Sequence, residues 1–253
     1  MNVSIVTVCF NSADTIEHTI RSVQGQDYEH IEHIIIDGGS TDGTQSRVAG
    51  CNGQIRKFIS EPDRGIYDAM NKGLHLAEGE IVGFLNADDV YVGPKVVSEV
   101  VAAIEAHHVD AVYGDLIYVD PADSSRIVRS WQAGPYRPGA FRNGWVPPHP
   151  TFFCRTALYR EVGGYDPTCR IAGDFELMLR FVEKHKIRVH YLSKCLVHMR
   201  ARGRGNTLRG IIRGNREIIQ AFRRNGMAFP PGYFCAKFFR KARQFVQRPE
   251  GER

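Results

Sequence analysis

A short acidic segment carries residue types suited to binding a metal ion. Asn86-Ala87-Asp88-Asp89 directly follows the apolar run 81–85. Mg²⁺ and Mn²⁺ prefer oxygen ligands, and they usually take one or two carboxylates together with phosphate oxygens of a substrate. The segment therefore fits a divalent-cation site that also meets a diphosphate. A polar turn between two elements explains the same residues about as well.

A second carboxylate, Asp37, closes the run Ile34-Ile35-Ile36 and precedes the glycine-rich loop 38–43. A carboxylate at such a place can accept a hydrogen bond from a nucleotide base or a ribose. The glycine spacing is not the G-x-G-x-x-G of dinucleotide-binding folds. A nucleotide contact and a simple turn therefore both remain open for this segment.

A third carboxylate, Asp174, stands before residues with helical apolar spacing. It can serve as the helix N-cap, a position that aspartate fills well. It can also act as a general base near a nucleophilic hydroxyl, and the helix dipole would keep it ionised there. On these residues alone the N-cap is the favoured interpretation. His149, which lies between prolines, fits a structural histidine better than an acceptor ligand.

Alternating strands and helices must position these carboxylates. Apolar runs predict strands at 3–10, 34–36, 55–59 and 81–85. Helical spacing predicts a helix capped by Asn11-Ser12, a second at 66–77 and a third that begins at Pro94. This order is typical of an α/β fold with an open, mostly parallel sheet flanked by helices. Ligands bind such sheets beyond the carboxyl ends of the strands, where Asp37 and Asp88 fall.

The composition is that of a globular protein with one large domain. The chain has 253 residues, of which 43% are hydrophobic and 24% charged. Apolar runs stay below the roughly 20 residues of a membrane-spanning helix, and the N-terminal residues do not resemble a signal peptide. Six scattered cysteines without a C-x-x-C pair indicate neither a zinc site nor a disulfide framework. We therefore expect a reduced, cytoplasmic setting.

The basic residues are concentrated near the C-terminus. Residues 199–253 contain 14 Lys and Arg against 3 Asp and Glu, whereas the rest of the chain is mildly acidic. Two segments there have a helical face that is apolar apart from Asn215 and lies beside basic residues. The first contains Leu208, Ile211, Ile212, Asn215, Ile219 and Phe222, and the second contains Phe234, Phe238, Phe239, Ala242, Phe245 and Val246. These faces either cover the α/β domain or lie in the interface of an anionic membrane, and we favour the membrane.

Five segments in their order and spacing resemble the family 2 glycosyltransferases, which have the GT-A fold. The resemblance spans roughly residues 2–200 and rests on segments 3–11, 36–44, 63–73, 86–89 and 172–177 with Arg180. Each motif is weak by itself, but the set is specific. Three departures stand out: Asn86 replaces the first Asp of the D-x-D motif, Gly173 replaces a common Glu before the base, and Val8 replaces a common proline.

The resemblance implies an inverting transfer of a sugar from a UDP-, GDP- or dTDP-sugar to an acceptor hydroxyl on a glycan or a lipid-linked molecule. It implies Mg²⁺ or Mn²⁺ bound by Asp88, and Asp174 as the catalytic base. The implied donor site consists of Val8, Phe10, Asp37, Arg64, Asp68, Asn86, Ala87 and Asp88.

It also implies a catalytic domain over residues 1–206, with a donor half at 1–119 and an acceptor half at 120–206. A basic helical tail at 207–253 follows. We expect the protein at the inner face of the cell membrane, as in bacterial polysaccharide assembly, and we expect no nucleic acid as a partner.

Three other functions use some of the same residues. A glycoside hydrolase also needs two carboxylates but no nucleotide. A nucleotidyltransferase would release pyrophosphate instead of a nucleoside diphosphate. A nucleic-acid binder would account for the basic C-terminus, but the acidic body and the scattered aromatic residues do not favour it.

Overall fold

A computed structural model of the chain describes residues 1–51, 53, 55–201 and 207–245. In these ranges the strands are β1 (Val3–Cys9), β2 (Ile31–Asp37), β3 (Ile55–Ser60), β4 (Ile81–Phe84), β5 (Asp89–Tyr91), β6 (Ala111–Val119), β7 (Ile127–Trp131), β8 (Phe153–Arg155) and β9 (Val189–Arg200). The helices are α1 (Ile16–Gln24), α2 (Thr44–Gly50), α3 (Ile66–Leu76), α4 (Val96–His107), α5 (Thr156–Val162), α6 (Gly173–Met178), α7 (Leu208–Arg224) and α8 (Tyr233–Arg243). A π-helical segment, Leu179–Lys184, continues α6.

The described strands form one sheet in the order β3-β2-β1-β4-β8-β6-β9-β5, with β7 paired to β6. Strands β3, β2, β1 and β4 are parallel, as the alternation of strands and helices predicts. Strand β8 is antiparallel to both β4 and β6, and β5 is antiparallel to β9. The second half of the sheet is mixed because turns and loops, rather than helices, connect β6, β7 and β8.

Helices cover both faces of the sheet, as expected for an α/β fold. Successive side chains of a strand point to opposite faces. Val6 and Val8 of β1 accordingly pack in one core with residues of α3 and α6, whereas Val3 and Ile5 pack in a second core with α4. Strands β1, β2 and β4 are thus largely buried on both sides, whereas β3 at the edge of the sheet exposes alternate residues. The carboxyl ends of these parallel strands form the accessible edge.

The predicted N-cap of the first helix is wrong. The N-cap of α1 is Thr15. The Asn11 side chain instead accepts a hydrogen bond from Thr41 N at 3.0 Å, and Ser12 N donates to Thr44 Oγ1 at 2.8 Å. Because both residues bond to the loop after β2, they join the two loops that follow β1 and β2.

Helix α7 belongs to the same core as the rest of the chain, since Ile218, Ala221 and Phe222 are buried in it. Its buried face also includes Gly210, Gly214 and Glu217, and Phe222 is the residue of the predicted apolar face that is buried with them. Leu208, Ile211 and Ile212 of the predicted face are exposed. Val246, assigned to the second predicted face, lies outside the described residues. Within the described ranges, none of the helices has the length and apolar content needed to cross a bilayer.

Candidate active site

Three of the predicted segments meet at one edge of the sheet. Cys9 at the end of β1 lies opposite Asp37 at the end of β2, and Leu85 N after β4 donates to Val6 O at 3.0 Å. Val8 and Ala87 are buried beneath this edge. Phe10 is 54% exposed. Its ring lies beside the loop after β2, since Phe10 Cδ2 would lie 3.3 Å from a β-carbon placed on Gly38. The Phe10 ring is therefore open to a ligand above the sheet edge.

Asp37 is fully buried, and its carboxylate is bonded within its own loop. It accepts hydrogen bonds from the amide and hydroxyl of Ser40, from Ser60 Oγ at 2.6 Å and from Cys9 Sγ at 3.5 Å. Burial acts to raise the pKa of Asp37, but the bonds from Ser40 and Ser60 outweigh it and hold that pKa below its usual value. Asp37 thus fixes the loop that follows β2. Its direct contact with a base stays a prediction.

Arg64 lies in the loop before α3, and Asp68 lies in the first turn of that helix. The Asp68 carboxylate accepts from Arg64 N at 3.0 Å and from the Arg64 guanidinium at 2.9 Å. These bonds hold the pKa of Asp68 below its usual value. Asp68 therefore closes the first turn of α3 and holds the Arg64 guanidinium, although the Arg64 side chain is 79% exposed.

Asp88 and Asp89 differ sharply in their surroundings. Asp89 is fully buried, and it accepts a bond from Asn86 Nδ2 at 3.0 Å. Burial, followed by the charge of Asp88, raises the pKa of Asp89 well above its usual range. Asp88 is only half-buried. Of the two, Asp88 is the carboxylate at the strand end that a ligand can approach.

The residues present fit a cation that shares its ligands with a substrate. Groups of three or more His, Cys, Asp or Glu side chains able to hold a metal are absent from the described ranges. Asn86 Oδ1 is buried without a hydrogen-bond partner. Asn86 lies two positions before Asp88 in the chain. One carboxylate and one amide oxygen leave the remaining positions of Mg²⁺ or Mn²⁺ to phosphate oxygens and water, as is usual for these ions.

Asp174 is not the N-cap of its helix, because Ala172 holds that position in α6. Asp174 Oδ1 accepts from Phe175 N at 2.8 Å and from the buried Tyr67 hydroxyl at 3.2 Å. Gly173, which stands where the family commonly has Glu, has a structural role next to Asp174. A β-carbon on Gly173 would lie 2.8 Å from the Tyr67 ring, so the glycine lets this ring approach and its hydroxyl orient Asp174.

Arg180 and His149, two further residues considered from the sequence, both have structural partners. Arg180 bonds Glu176 Oε1 at 3.0 Å and the carbonyls of Val162, Gly163 and Gly164, so it holds α6 to the loop after α5. His149 is buried, and its Nε2 lies 2.6 Å from Tyr165 Oη. Burial lowers the pKa of His149. The favoured interpretation of His149 as a structural histidine agrees with this position.

Two contacts at the site were not predicted from the sequence. The sequence indicated Tyr67 only as a member of segment 63–73. Its hydrogen bond to Asp174 joins residues 107 positions apart. Glu217 accepts hydrogen bonds from three backbone amides just before Asp174. The only signal for Glu217 in the sequence is that it is the one acidic residue of the basic segment that forms α7.

Comparison with known proteins extends these observations. The model of the family described as glycosyl transferase family 2 matches residues 4–171. An uncharacterized glycosyltransferase of Mycobacterium tuberculosis is 37% identical over 188 residues, covering 70% of this chain and 68% of that protein. A PGL/p-HBAD biosynthesis glycosyltransferase of Mycobacterium bovis is 30% identical over 193 residues, covering 75% and 73%.

Solved structures share the fold. The mannosyltransferase PcManGT of Pyrobaculum calidifontis, in complex with GDP-Man and Mn²⁺, has a TM-score of 0.66 and 21% identity over 95% of this chain and 69% of its own. Residues 1–349 of S. aureus TarS in complex with UDP-GlcNAc have a TM-score of 0.64 and 21% identity over 80% and 59%. The predicted GT-A fold is confirmed, and the chain belongs to glycosyl transferase family 2.

Proposed function

We propose that this glycosyltransferase moves one sugar from a nucleotide-diphosphate sugar to an acceptor hydroxyl by a single, inverting displacement that needs a divalent cation. The observation that carries the proposal is the placement of Asp174, whose Oδ1 is held by Tyr67 Oη and Phe175 N. A second oxygen of this carboxylate remains to receive a proton. The complexes of the two solved relatives with GDP-Man and UDP-GlcNAc support a nucleotide-sugar donor.

In this proposal the donor lies along the carboxyl ends of β1, β2 and β4. Phe10, with Val8 beneath it and Asp37 fixing the adjacent loop, binds the nucleoside. Arg64, which Asp68 holds in place, reaches the ribose or the diphosphate. These contacts bring the sugar toward the edge formed by Asn86 and Asp88.

Asp88, assisted by Asn86 Oδ1 and the adjacent Ala87 backbone, would hold Mg²⁺ or Mn²⁺ against the diphosphate. When bound, the cation supplies charge neutralisation for the diphosphate as it leaves. The Mn²⁺ in the PcManGT complex supports this part of the proposal. Asp89 keeps the strand end in shape from its buried position.

Asp174 acts as the general base. It takes the proton of the acceptor hydroxyl as the hydroxyl oxygen bonds the anomeric carbon and the bond to the diphosphate breaks. Because the hydroxyl attacks from the face opposite the leaving group, one displacement inverts the configuration.

We further propose that α7 and α8 place the enzyme on an anionic lipid surface, where a glycan or lipid-linked acceptor would be presented. Leu208 and Phe239 are 75% and 71% exposed, and Phe238 and Phe245 are also exposed. Arg209, Ile212, Arg213 and Arg216 line an open cavity of about 360 Å³. Aromatic side chains can enter the headgroup boundary, while each nearby cation contributes about 1 kcal/mol at an anionic membrane.

Thermal-shift screening of UDP-, GDP- and dTDP-sugars, each with and without Mn²⁺, tests the donor and the cation together. A ligand at 100 times its dissociation constant stabilises the native state by about 2.7 kcal/mol, so one nucleotide class should raise the melting temperature more in Mn²⁺ than in EDTA. Equal melting temperatures across the whole panel would refute the nucleotide-sugar proposal.

A further inference from the structure

Helix α7 places a buried carboxylate under the loop that leads to Asp174. Glu217 is 7% exposed. Its Oε1 accepts from Arg170 N at 3.0 Å, and its Oε2 accepts from Ile171 N at 2.9 Å and Ala172 N at 2.8 Å. One side chain therefore satisfies three consecutive backbone amides, and hydrogen bonds to a carboxylate are stronger than those between neutral groups.

The position of Glu217 is fixed from several sides. A β-carbon on Gly214 would lie 2.9 Å from Ile171 Cγ2, so this glycine allows the α7 backbone close to the loop. Phe222, five residues after Glu217 in α7, packs on Phe175 with ring centroids 5.8 Å apart. Arg213 Nε bonds Glu217 Oε1 at 3.0 Å from the solvent side. Glu217 thus has little freedom to leave the loop.

The loop needs such an external partner. Helix α6 has six residues, and its N-cap Ala172 provides no side-chain hydrogen bond. Loss of the Glu217 carboxylate would leave buried amides of residues 171 and 172 without acceptors, so the loop would move to satisfy them. Asp174 lies two residues beyond Ala172 and would move with the loop.

We propose that Glu217 is a positioning residue for the reaction: it holds residues 170–172 so that Asp174 presents its carboxylate to the acceptor hydroxyl. This inference rests on the proposed role of Asp174 as the base. Residue 217 lies beyond the stretch 4–171 that the family model matches, so a helix outside that stretch completes the site.

The decisive variant is Glu217→Gln, which keeps the size of the side chain but replaces one acceptor oxygen by a donor group. Turnover is measured as nucleoside diphosphate released from the UDP-, GDP- or dTDP-sugar that most raises the melting temperature. A misplacement near 1 Å can reduce the rate by about 10²-fold, so kcat should fall by about that factor while the donor KM stays within about twofold.

Two further variants make the result specific. Thr207→Ala removes the N-cap bond of α7 to Gly210 N, which weakens the helix without touching Glu217, and it should keep kcat. Asp174→Asn should lose turnover, and adding Glu217→Gln to it should cause no further loss, since residues that act through one group are not additive. A full multiplicative loss in the double variant, or a wild-type kcat in Glu217→Gln, would overturn the positioning role.

The outcomes separate the two proposals. If Asp174→Asn keeps its kcat, the base assignment fails and the role of Glu217 fails with it. If Asp174→Asn is inactive and Glu217→Gln is normal, only the positioning role fails. Should Glu217→Gln not fold, hydrogen exchange in the wild-type enzyme decides: amides 170–172 should exchange as slowly as those of β1, and rapid exchange would contradict the proposal.

Discussion

At the scale of single residues, Asp174 is held by two donors and still has an oxygen to offer. Tyr67 and Phe175 bond the same oxygen, Oδ1, and Ala172 is the N-cap of the helix. Replacing Asp174 by Asn therefore keeps an oxygen for both donors and leaves the cap untouched. The substitution removes the basic group and little else.

We expect Asp174→Asn to reduce kcat by about 10²–10⁴-fold, the usual effect of losing a positioned base, with donor affinity nearly unchanged. Steady-state kinetics and a melting curve check this. A near-normal kcat, or an unfolded protein, would show that Asp174 serves the fold instead.

The adjacent carboxylates Asp88 and Asp89 should separate function from stability. Asp88→Ala removes the approachable carboxylate, so the Mn²⁺-dependent melting shift with the donor should disappear while the protein stays folded. Asp89→Asn is the matched control, because Asp89 is fully buried beside Asn86 and should affect stability more than cation binding. Unchanged Mn²⁺ dependence in Asp88→Ala would contradict its role.

The candidate carboxylates were predictable from the sequence because each follows an apolar run or precedes a helical pattern. Their partners were not. Tyr67 and Glu217 reach the Asp174 loop from distant parts of the chain, and only the packing of α3 and α7 brings them there. The buried bonding of Asp37 also depends on Ser60, which lies on a different strand.

At the scale of elements, β1 and β2 share a buried polar pair at their interface. His33 is fully buried, and its Nε2 lies 2.9 Å from Thr7 Oγ1. Burial lowers the pKa of His33 from 6.5 to about 3. The neutral ring is the buried form, so its contribution to stability is complete above pH 6.5 and is lost as the pH falls toward 3.

His33→Gln removes this titration. As the pH is lowered from 6.5 toward 3, the free energy of unfolding of the wild type should fall more steeply than that of the variant, by up to about 1.4 kcal/mol per pH unit. Urea denaturation of both proteins between pH 7 and pH 4 measures this difference in slope. Because both proteins contain His149, its contribution cancels in the comparison. Parallel curves would show that His33 does not titrate on unfolding.

The amphipathic helices show what sequence periodicity can and cannot give. The spacing of large apolar residues correctly predicted a helix over α7. The apolar face that this spacing predicts is exposed at Leu208 and Ile212, whereas the face that packs includes Gly210 and Gly214, which let the backbone approach the core. Periodicity weighs large side chains, whereas close helix packing here depends on the smallest ones.

At the scale of the whole molecule, the membrane proposal rests on the exposed apolar and cationic side chains of α7 and α8. Deleting both helices would remove Ile218 and Phe222 from the core, so point variants are the better test. Arg209→Gln with Arg216→Gln should weaken binding to anionic vesicles several-fold in co-sedimentation, and wild-type binding should decrease with salt.

Arg56→Gln with Arg160→Gln is the charge-matched control, since both residues are exposed on other elements. This control should bind vesicles like the wild type. If the wild type does not bind anionic vesicles at low salt, or binds neutral vesicles equally, the membrane proposal is wrong.

The central claim, inverting sugar transfer with Asp174 as the base, is tested most directly by proton NMR of the first product. The enzyme is given its donor in Mn²⁺, with water or a simple alcohol as acceptor, and the anomeric signal is recorded before mutarotation. We predict a product of opposite anomeric configuration to the donor, formed together with nucleoside diphosphate and lost in Asp174→Asn. Retained configuration, released pyrophosphate, or the same product at the same rate from Asp174→Asn would contradict this account.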